Sequence, residues 1–224
     1  MSKVFAVPFA DRALATEWHG AEAGSLLLLH GAGTSCKAHW RELLVALSGR
    51  GLACAAFDFI GHGETGGDLS GSCLASRLAQ TLAVVAELPR APRALLGASM
   101  GAYVALRALE HLPGITRLVL VVPGVYAPSA FDLPFGPAFS AEIRKPASWA
   151  ASDAFERVAA FAGRTLILAT EQDQVIPRAI PERLAAEARE AELVWLPGGH
   201  RFSVGLDEKG REAFRSRIAD FLLS

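Results

Sequence analysis

The sequence predicts an α/β fold in which a mostly parallel central sheet is flanked by helices on both faces. Three observations support this prediction. The chain has 224 residues, 51% of them hydrophobic, which suits one domain because single cores rarely outgrow about 250–300 residues. Short, almost wholly apolar runs recur along it, and longer segments with apolar residues at three-to-four spacing separate them. We therefore expect about eight strands, with an antiparallel edge at the amino terminus.

Six apolar runs of four to six residues are the predicted parallel strands. An uninterrupted apolar run is typical of a strand that helices cover on both faces of the sheet. The runs are Leu26–Leu29, Leu52–Phe57, Ala94–Gly97, Leu118–Val122, Thr165–Ala169 and Leu193–Leu196. Residues 4–18 are weakly patterned, and we expect them to supply one or two antiparallel edge strands.

Five longer segments are the predicted crossover helices, because their apolar residues recur at helical spacing. They are Lys37–Leu47, Cys73–Leu88, Met100–Leu112, Arg178–Arg189 and Glu208–Leu222. In the fourth segment, Pro177 is expected to lie in the first turn of the helix.

Residues 123–152 break the alternation and are predicted to form a short cap-like insertion within the single domain, residues 1–224. Five of the 12 prolines lie in this stretch, which excludes a regular long helix. Its aromatic residues argue against disorder and are candidates for an acyl or alcohol pocket; the alternative is that they only cover the sheet edge. They are Tyr126, Phe131, Phe135, Phe139 and Trp149.

Composition excludes several classes of protein. Lys and Arg number 22 against 23 Asp and Glu, so no basic surface for nucleic acid is expected. No apolar run approaches the roughly 20 residues of a membrane span, and no signal peptide is recognised. Three cysteines without CxxC spacing suggest a reducing compartment, so we expect a cytoplasmic protein. No metal-binding motif is present, and the sequence leaves monomer and homodimer undecided.

A candidate nucleophile lies where a predicted strand meets a predicted helix. The sequence there is Gly97-Ala98-Ser99-Met100-Gly101. In a nucleophile elbow the serine occupies a strained turn, and small residues two positions before and after it let the flanking backbones approach each other. A serine hydroxyl also needs a base to remove its proton.

His200 is the predicted base, because it follows Pro197-Gly198-Gly199 directly after the last apolar strand. Ligands bind at that edge of open parallel sheets. A carboxylate must orient the imidazole. Asp173 is our preferred residue and Glu171 the alternative, since both follow the strand that ends near Ala169.

Two backbone amides are expected to stabilise an oxyanion. One belongs to Met100, directly after the serine. The other is expected in His30-Gly31-Ala32-Gly33, after the first parallel strand, where Ala32 is the preferred donor and Gly33 the alternative. His30 and Gly31 are predicted to line the substrate site. A phosphate-binding loop is excluded here, since neither GxxxxGK[ST] nor GxGxxG is present.

Together these motifs, with Asp58-Phe59-Ile60-Gly61-His62-Gly63, resemble the α/β-hydrolase superfamily from about residue 13 to the end. They occur in its order of serine, acid and histidine. The resemblance implies Ser99 as nucleophile, His200 as general base and then acid, and Asp173 as the orienting carboxylate, with no cofactor. Two features depart from the family pattern: Thr170 stands where a glycine is common, and the cap is short. Relatives with an aspartate nucleophile are excluded.

The resulting functional hypothesis is a serine hydrolase that cleaves an ester-type bond of a small-molecule substrate through an acyl-Ser99 intermediate. The same residues could serve a thioesterase, an acyltransferase, a C–C bond hydrolase or a cofactor-free lyase, because a fold does not fix a reaction. A non-catalytic binding protein that has kept the fold is a further alternative.

Overall fold

The computed structural model describes residues 2–20, 25–201 and 206–224. Eight strands form one sheet in the order β1-β2-β4-β3-β5-β6-β7-β8. The neighbouring pairs β4-β3, β3-β5, β5-β6, β6-β7 and β7-β8 are parallel. β2 pairs antiparallel with both β1 and β4. The strands are β1 (Ser2–Phe9), β2 (Arg12–His19), β3 (Ser25–Leu29), β4 (Ala53–Phe57), β5 (Ala94–Ala98), β6 (Arg117–Val121), β7 (Arg164–Thr170) and β8 (Ala191–Leu196). The predicted α/β architecture and its antiparallel amino-terminal edge are confirmed.

Seven α-helices flank this sheet within the described ranges. They are α1 (Arg41–Gly49), α2 (Leu74–Glu87), α3 (Met100–Ala108), α4 (Pro137–Ile143), α5 (Ala154–Ala160), α6 (Ala179–Glu187) and α7 (Glu208–Leu223). None of the helices described is both long enough and apolar enough to cross a membrane.

The side chains of each central strand enter two separate cores, one on each face of the sheet. In β3, Leu27 and Leu29 belong to the core covered by α2, α3, α5 and α6. Leu26 and Leu28 belong to the core covered by α1 and α7. Because successive strand residues point to opposite faces, burial on both sides requires an uninterrupted apolar run, which is the pattern of these strands.

The structure differs from the predicted elements at several ends. The helix predicted from Lys37 begins as a short 3₁₀ turn (Lys37–Trp40) before α1. Asp58 accounts for this start, because its carboxylate accepts hydrogen bonds from the backbone N–H and the side chain of Lys37. Pro177 does not lie in the first turn of α6: the helix begins at Ala179, after Arg178 at its N-cap. β8 is only partly buried because it is an edge strand.

The segment between β6 and α5 contains α4 and two 3₁₀ turns, Pro128–Ala130 and Ser148–Ala151. Pro128 and Pro137 each begin a helical turn, where their missing N–H costs no hydrogen bond. The segment is hydrogen-bonded to the start of α2: Phe131 O accepts from Ala75 N, and Phe135 N donates to Ser72 O. That the chain forms one domain with a cap at residues 123–152 stays a prediction.

Candidate active site

Ser99 occupies a strained turn between β5 and α3. Its backbone has φ 50° and ψ −117°, a conformation that residues other than glycine seldom adopt. A Cβ atom on Gly97 would overlap the Gly101 carbonyl oxygen, and one on Gly101 would overlap the carbonyl oxygen of Leu29. Glycine is therefore required on both sides of the serine, which lets α3 pack closely against β3 and β5.

Three side chains that are distant in the sequence form a hydrogen-bonded series at the carboxyl end of the sheet. Ser99 Oγ lies 3.1 Å from His200 Nε2, and His200 Nδ1 lies 2.9 Å from Asp173 Oδ2. The imidazole is 22% exposed and the carboxylate 6%. A buried carboxylate at Nδ1 fixes the tautomer that leaves Nε2 free to accept a proton from the serine hydroxyl.

Asp173, and not Glu171, contacts the histidine. Asp173 Oδ1 accepts backbone hydrogen bonds from Val175 at 2.8 Å and Ile176 at 2.9 Å. The Thr170 hydroxyl lies 3.5 Å from the other oxygen, Oδ2. These donors hold the carboxylate at the bend after β7. The side chain of Glu171 is exposed and contacts only Gln172 among its described hydrogen-bond partners.

Gln172 joins the loop that carries the acid to the loop that carries the histidine. Its backbone N–H donates to Gly198 O at 3.0 Å, and its side-chain oxygen accepts from Gly198 N at 2.7 Å. This pair of bonds ties together the two loops, next to Asp173 in one and two residues before His200 in the other. Sequence reasoning missed Gln172, because an exposed glutamine in a loop carries no recognisable signal.

The turn after β3, residues 30–33, is called the Gly31 turn and lies directly beside Ser99. A Cβ on Gly31 would stand 3.2 Å from Ser99 Cβ and 3.8 Å from its Oγ, so a side chain there would crowd the serine. Ala32 and Gly33 are exposed, and Gly33 has φ 68°. Met100 begins α3. The structure thus places the predicted oxyanion turn next to the serine.

His30 is buried beneath this turn and does not face a substrate space. Its Nε2 accepts a hydrogen bond from Phe59 N at 3.1 Å, and its Nδ1 lies 2.7 Å from Gly31 O. Burial, with the charge of Arg77 as a second cause, lowers the pKa of His30 to about 3. The expectation that His30 lines the substrate site is therefore wrong: the ring is fully buried, and its two nitrogens bind backbone atoms.

Arg77 is the residue of this region that sequence reasoning overlooked. Its side chain is buried, with Nη1 3.3 Å from Gly31 O and Nη2 2.6 Å from His62 Nε2. Burial lowers the pKa of Arg77 to about 10. Burial and the charge of Arg77 lower the pKa of His62 to about 4. A signal existed, because Arg77 stands beside Leu74 and Leu78 on the apolar face of α2, where a charge is unusual.

Three of the five aromatic residues of the predicted cap contact one another. Tyr126, Phe135 and Phe139 form a series of ring contacts, with Phe139 5.7 Å from Tyr126 and 4.9 Å from Phe135 between ring centres. Phe131 contacts the Arg107 guanidinium at 3.7 Å and, like Tyr126, the ring of Tyr103. Trp149 contacts Phe155 of α5, with 6.4 Å between ring centres. A Cβ on Gly124 would be 3.1 Å from the Tyr126 hydroxyl and 3.4 Å from the Ser99 carbonyl. The Tyr126 hydroxyl therefore lies near the serine turn.

No group of three or more His, Cys, Asp or Glu side chains is arranged to hold a metal ion in the ranges that the structure describes.

Comparison with known proteins gives one family and many similar structures. The model of the alpha/beta hydrolase family matches residues 26–164. "Putative carbamate hydrolase RutD" of Variovorax paradoxus is 25% identical, with 92% of this chain and 94% of that protein covered. An esterase from Exiguobacterium antarcticum has a TM-score of 0.76 at 17% identity, covering 98% of this chain and 99% of the other. A thioesterase domain from the curacin biosynthetic pathway has a TM-score of 0.74 at 20% identity, with complete coverage of both chains.

At these identities the solved structures show the fold alone. The family match is independent of them, spans more than half of the chain and includes both the Gly31 turn and the serine turn. The chain therefore belongs to the alpha/beta hydrolase family.

Proposed function

We propose that this chain is a serine hydrolase that cleaves an ester-type bond of a small-molecule substrate through a covalent acyl-Ser99 intermediate. The observation that carries the proposal is the hydrogen-bonded series from Ser99 Oγ through His200 to Asp173. Folding alone does not require this series. It joins three separate loops at the sheet edge where ligands bind in open parallel sheets.

The proposed reaction has two stages. Ser99 Oγ attacks the substrate carbonyl while His200 Nε2 takes the hydroxyl proton, and Asp173 stabilises the imidazolium that results. The tetrahedral intermediate then breaks its bond to the leaving alcohol, which receives the proton from His200. In the second stage His200 takes a proton from a water molecule, which attacks the acyl carbonyl carbon. The acyl–Oγ bond then breaks, His200 returns the proton to Ser99 Oγ, and the acid leaves.

Negative charge on the carbonyl oxygen needs donors that are already in position. We assign this role to the Met100 amide and to an amide of the Gly31 turn, with Ala32 preferred and Gly33 as the alternative. One such donor typically contributes about 3–4 kcal/mol to transition-state stabilisation. Support comes from the contact of Gly31 with Ser99 and from the position of Met100 at the first turn of α3.

The substrate-binding surface is assigned to the Gly31 turn and to the aromatic group of Tyr126, Phe135 and Phe139. Phe131 is included with them: like Phe135, which contacts Arg77, it is half-buried and packs its ring against an arginine, Arg107. The proposed chemistry uses only side chains and backbone amides, so no cofactor enters it. A cytoplasmic location stays a prediction.

A carbamate is a second candidate substrate class, because the carbamate hydrolase RutD is similar along almost the whole chain. Attack by Ser99 on a carbamate carbonyl would use the same base and the same oxyanion donors. Esters, carbamates, thioesters and diketones of increasing size should therefore be compared as substrates. Their relative kcat/KM values separate the candidate reactions and measure how large an acyl group the aromatic surface accepts.

The decisive experiment is labelling with a fluorophosphonate probe, followed by mass spectrometry of the modified peptide. We expect a single adduct on Ser99, loss of labelling and of p-nitrophenyl ester turnover in Ser99→Ala, and an unchanged fold. Ser70→Ala, at an exposed serine bonded only to Asp68 among its described partners, is the control and should behave as wild type. A folded wild-type protein without an adduct would support a non-catalytic binding role and overturn the proposal.

A further inference from the structure

Arg77 is a buried cation whose described partners carry no negative charge. The residue is 1% exposed, and its described hydrogen bonds run to Gly31 O and His62 Nε2. Its Nε has no hydrogen-bond partner among the described residues. The guanidinium lies over the rings of Phe59 at 4.7 Å and Phe135 at 5.0 Å. These ring faces attract the cation, but they do not replace a carboxylate, and burying an unpaired charge is costly.

The bonds around Arg77 determine which atom donates in each of them. His62 Nε2 must accept from the arginine, so His62 Nδ1 carries the proton and donates to Ser35 O at 3.0 Å. His30 Nε2 accepts from Phe59 N, so His30 Nδ1 donates to Gly31 O. Both imidazoles are therefore neutral, and Arg77 provides the positive charge of this network.

The network converges on one peptide group. Gly31 O accepts from both His30 Nδ1 and Arg77 Nη1. The peptide is planar and trans, so the N–H of Ala32, which belongs to the same group, points away from these two donors. Two donors on the carbonyl polarise the peptide and strengthen its N–H as a donor, as in other cooperative hydrogen-bond chains.

We propose that Arg77 is a positioning residue that orients and polarises the Gly31–Ala32 peptide, so that the Ala32 amide stabilises the oxyanion formed on attack by Ser99. The inference rests on the proposed function, because it names what prepares the oxyanion site. It also explains why α2 carries an arginine on its apolar face: a cation behind the peptide acts when negative charge develops in the transition state. An apolar side chain of similar size would fill the space and lack this effect.

Arg77→Met tests the charge and Arg77→Lys tests the geometry. Removing an oxyanion donor outright typically lowers kcat about 10²–10³-fold. Because Arg77 acts through such a donor, we expect kcat for p-nitrophenyl acetate to fall about 10–100-fold in Arg77→Met, with KM changed less than about twofold. Arg77→Lys keeps the charge but cannot reach Gly31 O and His62 together in the same way. Its kcat should lie between those of the wild type and Arg77→Met.

Gln80→Met is the matched control. Gln80 is also fully buried, lies one turn further along α2, and accepts a hydrogen bond from Ile60 N at 2.8 Å, in the turn after β4. Losing that bond should lower thermal stability about as much as Arg77→Met does, while kcat stays within about twofold of wild type. A merely structural role of Arg77 would make the two variants alike.

A second measurement reports the peptide directly. In Arg77→Met the ¹³C resonance of the Gly31 carbonyl and the ¹H–¹⁵N resonance of Ala32 should shift, whereas Gln80→Met should leave them in place. A folded Arg77→Met protein with wild-type kcat, or with both resonances unmoved, would overturn the inference while fluorophosphonate labelling of Ser99 left the proposed function intact. If Arg77→Met does not fold, Arg77→Lys decides by the same two criteria. A wild-type protein that no fluorophosphonate labels would overturn both.

Discussion

At the scale of single residues, Asp173, which follows β7, determines which oxygen faces His200 and therefore the tautomer of the imidazole. Asp173 accepts two backbone hydrogen bonds through Oδ1, so Oδ2 is presented to the imidazole. The Thr170 hydroxyl adds a weak third donor to this carboxylate, at 3.5 Å from Oδ2. The departure from the family pattern is therefore compatible with the acid's position, and Thr170 supports it.

Asp173→Asn should lower kcat about 10³–10⁴-fold and leave the fold intact, because an amide can present its N–H₂ to His200 and favour the wrong tautomer. The measurement is kcat for whichever ester proves to be the best substrate, with circular dichroism to follow folding. Glu171→Gln is the control, since Glu171 is exposed two residues away. A loss of activity in Glu171→Gln comparable to that in Asp173→Asn would contradict the assignment of the acid.

Which residues the sequence could identify follows from their setting. Ser99, Asp173 and His200 each follow an apolar strand, so the topology of a parallel sheet brings them to one edge. Arg77 and Gln172 lack such a setting. They act through backbone atoms of other loops, Gly31 O and Gly198 N, and these pairings become visible only in three dimensions.

At the scale of elements, the turn between β5 and α3 couples the position of the serine to helix packing. Gly101 lies against the backbone of Leu29 and His30 at the end of β3. A methyl group at this position must push α3 away from the sheet, because the obstructing atoms are backbone and cannot rotate aside. The same displacement would move Ser99, which immediately precedes α3.

Gly101→Ala should therefore lower the free energy of unfolding by at least about 2 kcal/mol, as overpacked cores do, and reduce the rate of fluorophosphonate labelling. Denaturant unfolding and labelling kinetics measure the two effects. Gly114→Ala is the control: its Cβ would meet open space and its φ is not positive, so a change within about 0.5 kcal/mol is expected. Equal stability of the two variants would show that α3 can shift freely.

Strands were easier to predict than short helices for a physical reason. A strand buried on both faces must be apolar at every position, and the sequence displays that directly. Helices α4 and α5 have seven residues each. Helices this short are not stable alone and depend on tertiary packing, so their sequences carry little periodicity. Lys37 likewise begins its 3₁₀ turn because of Asp58, which is 21 residues away in the sequence.

At the scale of the whole molecule, the core beneath the active site contains ionisable groups that folding holds in one charge state. His30 and His62 are kept neutral by burial and by the positive charge of Arg77, while the neighbouring Asp58 acts in the opposite direction. Burial also opposes ionisation of Asp58 itself, yet hydrogen bonds from Lys37 hold the pKa of its carboxyl below the ordinary value. Unfolding releases all of these groups to water, so stability must depend on pH.

The direction follows from the pKa values of the two histidines, about 3 for His30 and about 4 for His62 in the folded protein, against about 6.5 in an unfolded chain. Between these limits the unfolded chain binds more protons, so the free energy of unfolding should decrease as pH falls from 6.5 towards 4. Each histidine can contribute at most about 1.4 kcal/mol per pH unit. Urea unfolding followed by tryptophan fluorescence from pH 8 to pH 5 measures the slope in a window above the usual range of carboxylates.

The variant His30→Asn keeps a donor for Gly31 O but cannot be protonated. Its free energy of unfolding should depend less steeply on pH than that of the wild type below pH 6.5, and should show no slope above pH 7.5. Equal slopes in wild type and His30→Asn would mean that the buried imidazole is already charged in the folded state. A charged imidazole could not accept the hydrogen bond that Phe59 N donates to Nε2.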